Sequence, residues 1–532
     1  NTHCHVGSVK GNVGHVNAAA GLAGLTKVIG VLERQVIPPT LRLKEYGENP
    51  ELGMSGTHLS LTPTAVSGET HDFAALSSFG FGGTNVHQIL ARSPAQKAEN
   101  QQNQDATIIP LSAKTDVALD TMRNELAEKL ASTEYNLSDV SKSLLLGRTA
   151  FSERCAIIAS NSEEAANKLK NQITVNKTGK SSEAVFVFPG QGTQFVGMGL
   201  NLYQNAPTFK ATLDEAAELL ISQGHEDIRP LIFDSDLTTL SSTENTQVAL
   251  FAVEYASAQW LSEGGLNPVA LLGHSIGEYV AATVADIFSL KDALTLVAAR
   301  GRLVASLPNA GMLAINASTE DVKAQLTPDL SLAVVNGANQ VVVSGTETTL
   351  EHFEETAHQQ GWRIRRLSVS HGFHSHLLEP ILGDFESLFN HISLNEPTIP
   401  VYSNLTGDLA DPAKISTPQY WREHLRHTVL FADNLEAIER DYPNAQHLAV
   451  GPGNIPGALP LMLTAQSQAN DCLTAITQLW VNGAPIETLF NTGSEVWNKV
   501  PLPGYPFSKV EHCLPVSKGP ANTESSCWTH VP

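Results

Sequence analysis

The sequence has few basic residues, few cysteines and no long apolar run. Lys and Arg number 33 against 54 Asp and Glu, a formal net charge of −21 at pH 7. A nucleic-acid-binding chain needs a basic stripe to neutralise phosphates, so no nucleic-acid partner is expected. An acidic protein partner would have to meet a local basic patch. The five cysteines, Cys4, Cys155, Cys472, Cys513 and Cys527, are scattered, with no CxxC or Cys/His ligand spacing. Neither a disulfide framework nor a metal site is expected, and a reducing, cytoplasmic setting fits. No apolar stretch approaches the ~20 residues of a membrane span and no signal-peptide pattern opens the chain, so no membrane association is expected. No internal repeat is visible. The chain opens on Asn1, and its first residues read like the interior of a domain. A segment of a longer protein is the expectation.

What is present is ordinary globular composition: 532 residues, 42% hydrophobic and 16% charged. That length calls for two to four domains. Residues 1–92 are rich in Gly and Ala; the small residues from Ala18 to Gly24 suit a tightly packed helix, and "SSFGFGGTNVHQIL" at 77–90 reads as strand, turn, strand. A polar stretch, 92–106, then reads as a linker. In 107–180, "TIIPLSA" and "RCAIIAS" read as strands. Residues 116–132, with Leu119, Met122, Leu126 and Leu130 at helical spacing, and 162–173 read as helices. From 184 the pattern is α/β. Residues 312–369 read strand, helix, strand, strand, helix, strand, the βαββαβ order of a ferredoxin-like unit inserted in the larger domain.

One stretch carries chemistry. "GHSIGEY", 273–279, follows the apolar strand "PVALL" and precedes the helical "EYVAATVADIF". Strand, turn and helix are the setting of a nucleophile elbow. A serine hydroxyl is a weak nucleophile, which needs a base, exposure and donors for the oxyanion. Gly273 and Gly277 let the chain turn sharply, and the helix starting near Ile276 aims its free N–H groups at the reacting atom. Ser275 is therefore a candidate nucleophile and the Ile276 amide a candidate oxyanion donor. "FPGQG", 188–192, is either a loop that needs glycine or the source of a second donor, the Gln191 amide. "SHGFHSH", 370–376, offers His371, His374 and His376 where the chain leaves the inserted unit.

"FPGQGTQFVGMG", "GHSIGEYVAA", "AARGRL", "HGFHS" and "VGPG" occur in this order. Together they resemble the acyltransferase domain of modular polyketide synthases and animal-type fatty-acid synthases, and the malonyl-CoA:acyl carrier protein transacylases. The resemblance covers roughly 184–480. "GSVKGNVGHVNAAAGLAGLTKVI", "IPPTL" and "SSFGFGGTNVH" resemble the C-terminal end of a β-ketoacyl synthase, and "LPGYPF", 502–507, resembles the linker that follows such an acyltransferase. The implied architecture is α/β: a hydrolase-like acyltransferase core with an inserted ferredoxin-like subdomain, a partial thiolase-like ketosynthase segment and a small α/β linker domain. The implied boundaries are 1–92 for the ketosynthase part, 93–183 for the linker, and 184–480 for the acyltransferase with its insert at about 312–370. A post-acyltransferase linker at 481–515 and a disordered tail at 516–532 complete the division.

The resemblance implies that Ser275 takes the acyl group, with His374, 99 residues on, as general base and acid. Gln191 and Ile276 would form the oxyanion hole. Arg300 would hold the free carboxylate of a malonyl unit, Gln247 would line the same pocket, and His371 and Phe373 would shape it. A guanidinium offers a carboxylate two parallel charge-assisted hydrogen bonds. One bond to a charged group, about 1.5–3 kcal/mol, is roughly ten- to a hundredfold in preference for malonyl over acetyl. The histidine would be oriented by a backbone carbonyl near 450–453 rather than by a carboxylate. Malonyl-selective relatives show HAFH and methylmalonyl-selective ones YASH; here His371-Gly372-Phe373-His374 favours malonyl, with Phe373 in the space of an α-methyl. Steric discrimination of one methylene is only ~1–3 kcal/mol. No cofactor is expected beyond the substrate malonyl-CoA and the phosphopantetheine of a partner acyl carrier protein. Other domains of the same megasynthase are the further expected partners. Lys10 and His15 match the ketosynthase "K-x-N-x-G-H" stretch, but no catalytic cysteine stretch occurs and Cys4 is a poor substitute, so no condensing activity is expected. The rival readings are a serine hydrolase of α/β-hydrolase type and a docking fragment without activity.

Overall fold

The computed structural model describes residues 4–38, 41, 57–59, 64–65, 72–92, 106–171, 176–177, 183–490 and 497–508. The chain divides into two compact units, Asn1–Glu99 and Asn100–Pro532. In the first, helix α1 (Ala20–Arg34) accompanies a hairpin of β1 (Phe73–Phe79) and β2 (Asn85–Ala91), paired antiparallel from Phe73↔Ala91 to Phe79↔Asn85. The strand–turn–strand expectation for 77–90 is what forms. Among the described residues of this unit Leu32 is the one buried apolar side chain, while Phe73, Phe79, Phe81 and Ile89 are exposed.

The second unit begins with β3 (Thr107–Ala113), α2 (Asp116–Ser132), α3 (Leu137–Leu145), β4 (Glu153–Ala159) and α4 (Ser162–Asn171). β3 and β4 pair antiparallel, and Leu119, Met122, Leu126 and Leu130 of α2 are all buried, as their spacing predicts. Thr115 caps α2, its hydroxyl accepting from the Ala118 N–H. Helix α3 was not foreseen, although Asn136 caps it and Leu137, Val140 and Leu144 face inward. Val500, Leu502 and Tyr505 of the 497–508 segment pack on this layer, and the Tyr505 hydroxyl accepts the Lys114 N–H at 3.0 Å. The expected tail, 516–532, lies outside the described residues.

The main core is built on β5 (Ala184–Phe188), α5 (Thr243–Glu263), β6 (Pro268–Gly273), α6 (Gly277–Val284) and α7 (Leu290–Ala305). β7 (Gly311–Asn316), α8 (Thr319–Gln325), β8 (Leu330–Gly337), β9 (Gln340–Gly345), α9 (Glu347–Gln359) and β10 (Arg363–Arg366) follow as the insert. The chain then returns through β11 (Val401–Ser403), β12 (Asp408–Leu409), α10 (Pro418–Arg426), β13 (Val429–Leu430), β14 (Gln446–Pro452) and β15 (Leu459–Met462). The main sheet has the order β12-β11-β6-β5-β14-β15, parallel except for β12. All five residues of β5 are buried, the mark of a parallel strand covered on both faces. The insert sheet has the order β10-β7-β9-β8-β13. Its first four strands take the antiparallel ferredoxin-like arrangement, and β13 adds to the edge in parallel with β8. The two glycine loops leave the carboxyl ends of the adjacent central strands β5 and β6, where open α/β sheets place their ligands.

Candidate active site

The elbow is made by close backbone packing. A Cβ at Gly277 would lie 2.4 Å from the Phe188 carbonyl oxygen, and one at Gly190 would lie 2.7 Å from His274 Nδ1 and 2.8 Å from the His274 oxygen. Only glycine fits at either place, so the "FPGQG" loop touches the elbow and brings Gln191 beside it. Ser275 has φ +52°. For a non-glycine residue that conformation costs roughly 1–3 kcal/mol and persists only when the surroundings hold it. Ile276 sits at the N-cap position of α6. The backbone N–H groups of Gln191 and Ile276 meet no acceptor among the described residues.

Ser275 Oγ lies 2.6 Å from His374 Nε2, and His374 Nδ1 lies 3.0 Å from the carbonyl oxygen of His427. A carbonyl only accepts, so Nδ1 carries the proton and Nε2 is left as the acceptor for the serine hydroxyl. Sequence reasoning expected the orienting carbonyl near 450–453; it comes instead from His427. The short connection from α10 to β13 runs behind the histidine, because β13 is drawn to the edge of the insert sheet. No carboxylate bonds His374 among the described residues. Burial, then the neighbouring His424, Arg300 and His274, push its pKa well below the usual 6.5, and the His427 carbonyl opposes this in part. The imidazole is thus neutral at pH 7, the form a general base needs.

Arg300, on α7, is 1% exposed. Its Nη1 donates to Gln247 Oε1 on α5 at 2.5 Å, and its guanidinium carbon lies 5.7 Å from the centre of the Tyr279 ring and 5.9 Å from that of Phe373. Its Nε and Nη2, and Gln247 Nε2, meet no acceptor in hydrogen-bond geometry among the described residues, and the Tyr279 side chain is the polar group beside the guanidinium. A buried charge without a carboxylate is costly, and burial lowers the pKa of this group. His371 is buried too, its Nδ1 3.1 Å from Thr243 Oγ1 and 2.9 Å from Ser370 Oγ. Ser275, His374, Arg300, Gln247, His371 and Phe373 therefore belong to one region of the second unit. His376 does not join the dyad; its Nδ1 lies 3.2 Å from Ser331 Oγ of the insert. No group of His, Cys, Asp and Glu among the described residues is arranged to hold a metal ion.

Comparison with known proteins bears on this geometry. The family described as "Acyl transferase domain" matches residues 185–451, half of the chain. The chain belongs to that family. Two further families match the flanks of the acyltransferase: "Beta-ketoacyl synthase, C-terminal domain" over 1–44 and "CurL-like, PKS C-terminal" over 107–169. A phenolphthiocerol synthesis polyketide synthase type I, Pks15/1, from Mycobacterium marinum is 32% identical over 97% of this chain, which spans 26% of that protein's length. The acyl transferase domain of ZmaA is 31% identical with a TM-score of 0.69, over 75% of this chain and 99% of that one. A malonyl CoA-acyl carrier protein transacylase from Clostridium perfringens is 26% identical with a TM-score of 0.51, over 56% of this chain and 98% of that one. The acyltransferase is thus homologous to those of modular type I polyketide synthases and is preceded by the C-terminal part of a ketosynthase. No helix among the described residues is long and apolar enough to cross a membrane.

In the ketosynthase part, Lys10 and His15 are exposed; the Lys10 N–H donates to Ser8 Oγ at 3.2 Å, and His15 Nδ1 accepts the Asn17 N–H at 3.1 Å. Sequence reasoning missed a buried set behind the acyltransferase elbow: Asn404, Glu278, Tyr420 and His424. Their contacts join positions more than a hundred residues apart; Glu278 falls inside "GHSIGEY", and no motif announces Asn404, Tyr420 or His424. The further signal was a mostly polar stretch, "SNLTG" at 403–407, where β11 ends.

Proposed function

We propose that this acyltransferase moves a malonyl unit from coenzyme A to Ser275 and then to the phosphopantetheine thiol of an acyl carrier protein. The observation that carries the reading is Arg300: a buried guanidinium whose Nε and Nη2 meet no acceptor among the described residues, in the region of a serine–histidine pair. A malonyl carboxylate supplies the missing acceptor, and acetyl does not. Ser275 Oγ attacks the thioester carbonyl while His374 Nε2 takes the hydroxyl proton. The oxyanion of the tetrahedral intermediate is received by the Gln191 and Ile276 N–H groups. Collapse breaks the C–S bond, and His374 returns the proton to the departing coenzyme A sulfur. In the second half His374 takes the proton of the pantetheine thiol, the sulfur attacks the acyl-serine, and collapse regenerates the Ser275 hydroxyl with that proton.

Phe373 favours malonyl over methylmalonyl by filling the α-methyl space, and Gly372 in place of alanine loosens that wall. The acyltransferase spans 184–480 between linkers of 93–183 and 481–515. It works in the cytoplasm with no bound cofactor and beside other domains of a megasynthase. The 1–92 segment does not condense, for want of a cysteine nucleophile. A serine hydrolase would use the same Ser275, but the carbonyl rather than carboxylate behind His374 and the Arg300 pocket tell against it. Incubation with labelled malonyl-CoA and a phosphopantetheinylated carrier protein tests the reading. Label on the carrier protein is expected, and free malonate as the sole product would overturn it.

A further inference from the structure

The elbow is gripped by a buried side chain for which the reaction above has no use. Asn404 follows β11 and is 1% exposed. Its Oδ1 accepts the Ser275 N–H at 2.8 Å, and its Nδ2 donates to the Gly273 carbonyl at 2.8 Å. These two groups flank His274, so one carboxamide ties both ends of the turn that carries the nucleophile. The pairing fixes the orientation of the amide, since a flipped carboxamide would set donor against donor and acceptor against acceptor. Asn404 is held in turn. Its own N–H donates to Glu278 Oε2 at 2.8 Å, and the Tyr420 hydroxyl bridges Glu278 Oε1 and Ser403 Oγ. Glu278 lies on α6 and Tyr420 on α10, so two helices that flank the elbow lock the staple in place.

We propose that Asn404 is the positioning residue of the nucleophile elbow. Its carboxamide holds Ser275 at positive φ. By taking the Ser275 N–H it also leaves the Ile276 N–H as the elbow's donor to the oxyanion. The second half of this statement rests on the acyl-serine reading; the first does not. The carboxamide makes no hydrogen bond to Arg300 or Gln247. Its loss therefore slows attack by Ser275 and leaves capture of the malonyl carboxylate unchanged.

The test uses the whole chain with Asn404→Ala, Asn404→Asp and Tyr420→Phe. Two rates are followed by intact mass and normalised to the fraction finally labelled: reaction of Ser275 with a fluorophosphonate, and single-turnover acylation by malonyl-CoA. A displaced nucleophile should slow both by about ten- to a hundredfold in Asn404→Ala, with the half-saturating malonyl-CoA concentration nearly constant. Asn404→Asp keeps the volume and the acceptor but loses the donor to Gly273, and should fall with it. Tyr420→Phe, one layer removed, should lose less. Should Asn404→Ala not fold, the other two variants decide. Rates within about threefold of the parent for both reagents, or a loss confined to half-saturation, would make Asn404 merely structural and overturn the proposal. A parent that takes the fluorophosphonate at Ser275 but not malonyl would sink the malonyl reading, and the fluorophosphonate rates would still decide for or against the staple. A parent inert to both would refute both.

Discussion

Replacing Arg300 by Gln should separate substrate selection from folding. The guanidinium is 1% exposed, and its Nε and Nη2 meet no acceptor among the described residues while Nη1 is taken by Gln247. Two charge-assisted hydrogen bonds to a carboxylate are each worth about 1.5–3 kcal/mol. Part of that is spent taking the carboxylate out of water. A net of about 2–4 kcal/mol is roughly thirty- to a thousandfold in kcat/KM for malonyl-CoA. For acetyl-CoA the sign reverses, because acetyl leaves the buried charge unpaired and Gln removes that charge. The malonyl-to-acetyl preference should therefore collapse by more than the malonyl loss alone. The melting temperature should hold or rise, since relief of the buried charge offsets the forfeited contacts to Tyr279 and Phe373 and the bond to Gln247. The assay is competition between labelled malonyl-CoA and acetyl-CoA for acylation of Ser275, with a thermal melt of the same sample. An Arg300→Gln enzyme that keeps the parental preference would refute the reasoning.

Four more outcomes are expected. His374→Ala should lower the acylation rate by about a hundred- to ten-thousandfold. In the parent the acid limb of acylation should lie below pH 6.5, because burial and the neighbouring His424, Arg300 and His274 disfavour the protonated ring; a limb at or above 6.5 contradicts this. Gly277→Ala should lose about 2 kcal/mol or more in chemical unfolding, since its Cβ would meet the Phe188 and Pro189 carbonyl oxygens at 2.4 and 2.7 Å and neither backbone can step aside. Glu254, on α5, is fully buried with neither carboxyl oxygen partnered among the described residues, and burial raises its pKa well above 4.5. A raised folded-state pKa gives stability that is full below the unfolded value and is lost as pH rises. The melting-temperature advantage of Glu254→Gln over the parent should thus grow from pH 5 to pH 8, and a constant or shrinking advantage would refute it.

The parts of the fold that depend on neighbours in the chain were legible. Strand, elbow and helix around Ser275 follow from a run of apolar residues, two glycines and a helical pattern. The βαββαβ insert follows from alternating periods. The pairing of Ser275 with His374 came from a resemblance, since nothing local joins residues 99 apart. What stayed hidden depends on distant chain segments meeting. The His427 carbonyl behind His374 exists because the two-residue β13 joins the insert sheet, and so short a strand has no pattern to read. Asn404 is invisible for the same reason: its value lies in two bonds to positions 129 and 131 residues earlier. Helix α3 is a different kind of miss, as its Asn cap and inward Leu137, Val140 and Leu144 were available in the sequence.

Intact mass spectrometry of the chain after mixing with malonyl-CoA bears most directly on the acyl-serine intermediate. A gain of one malonyl unit that disappears in Ser275→Ala is the predicted result. No gain in the parent, or a gain that survives in Ser275→Ala, would contradict it.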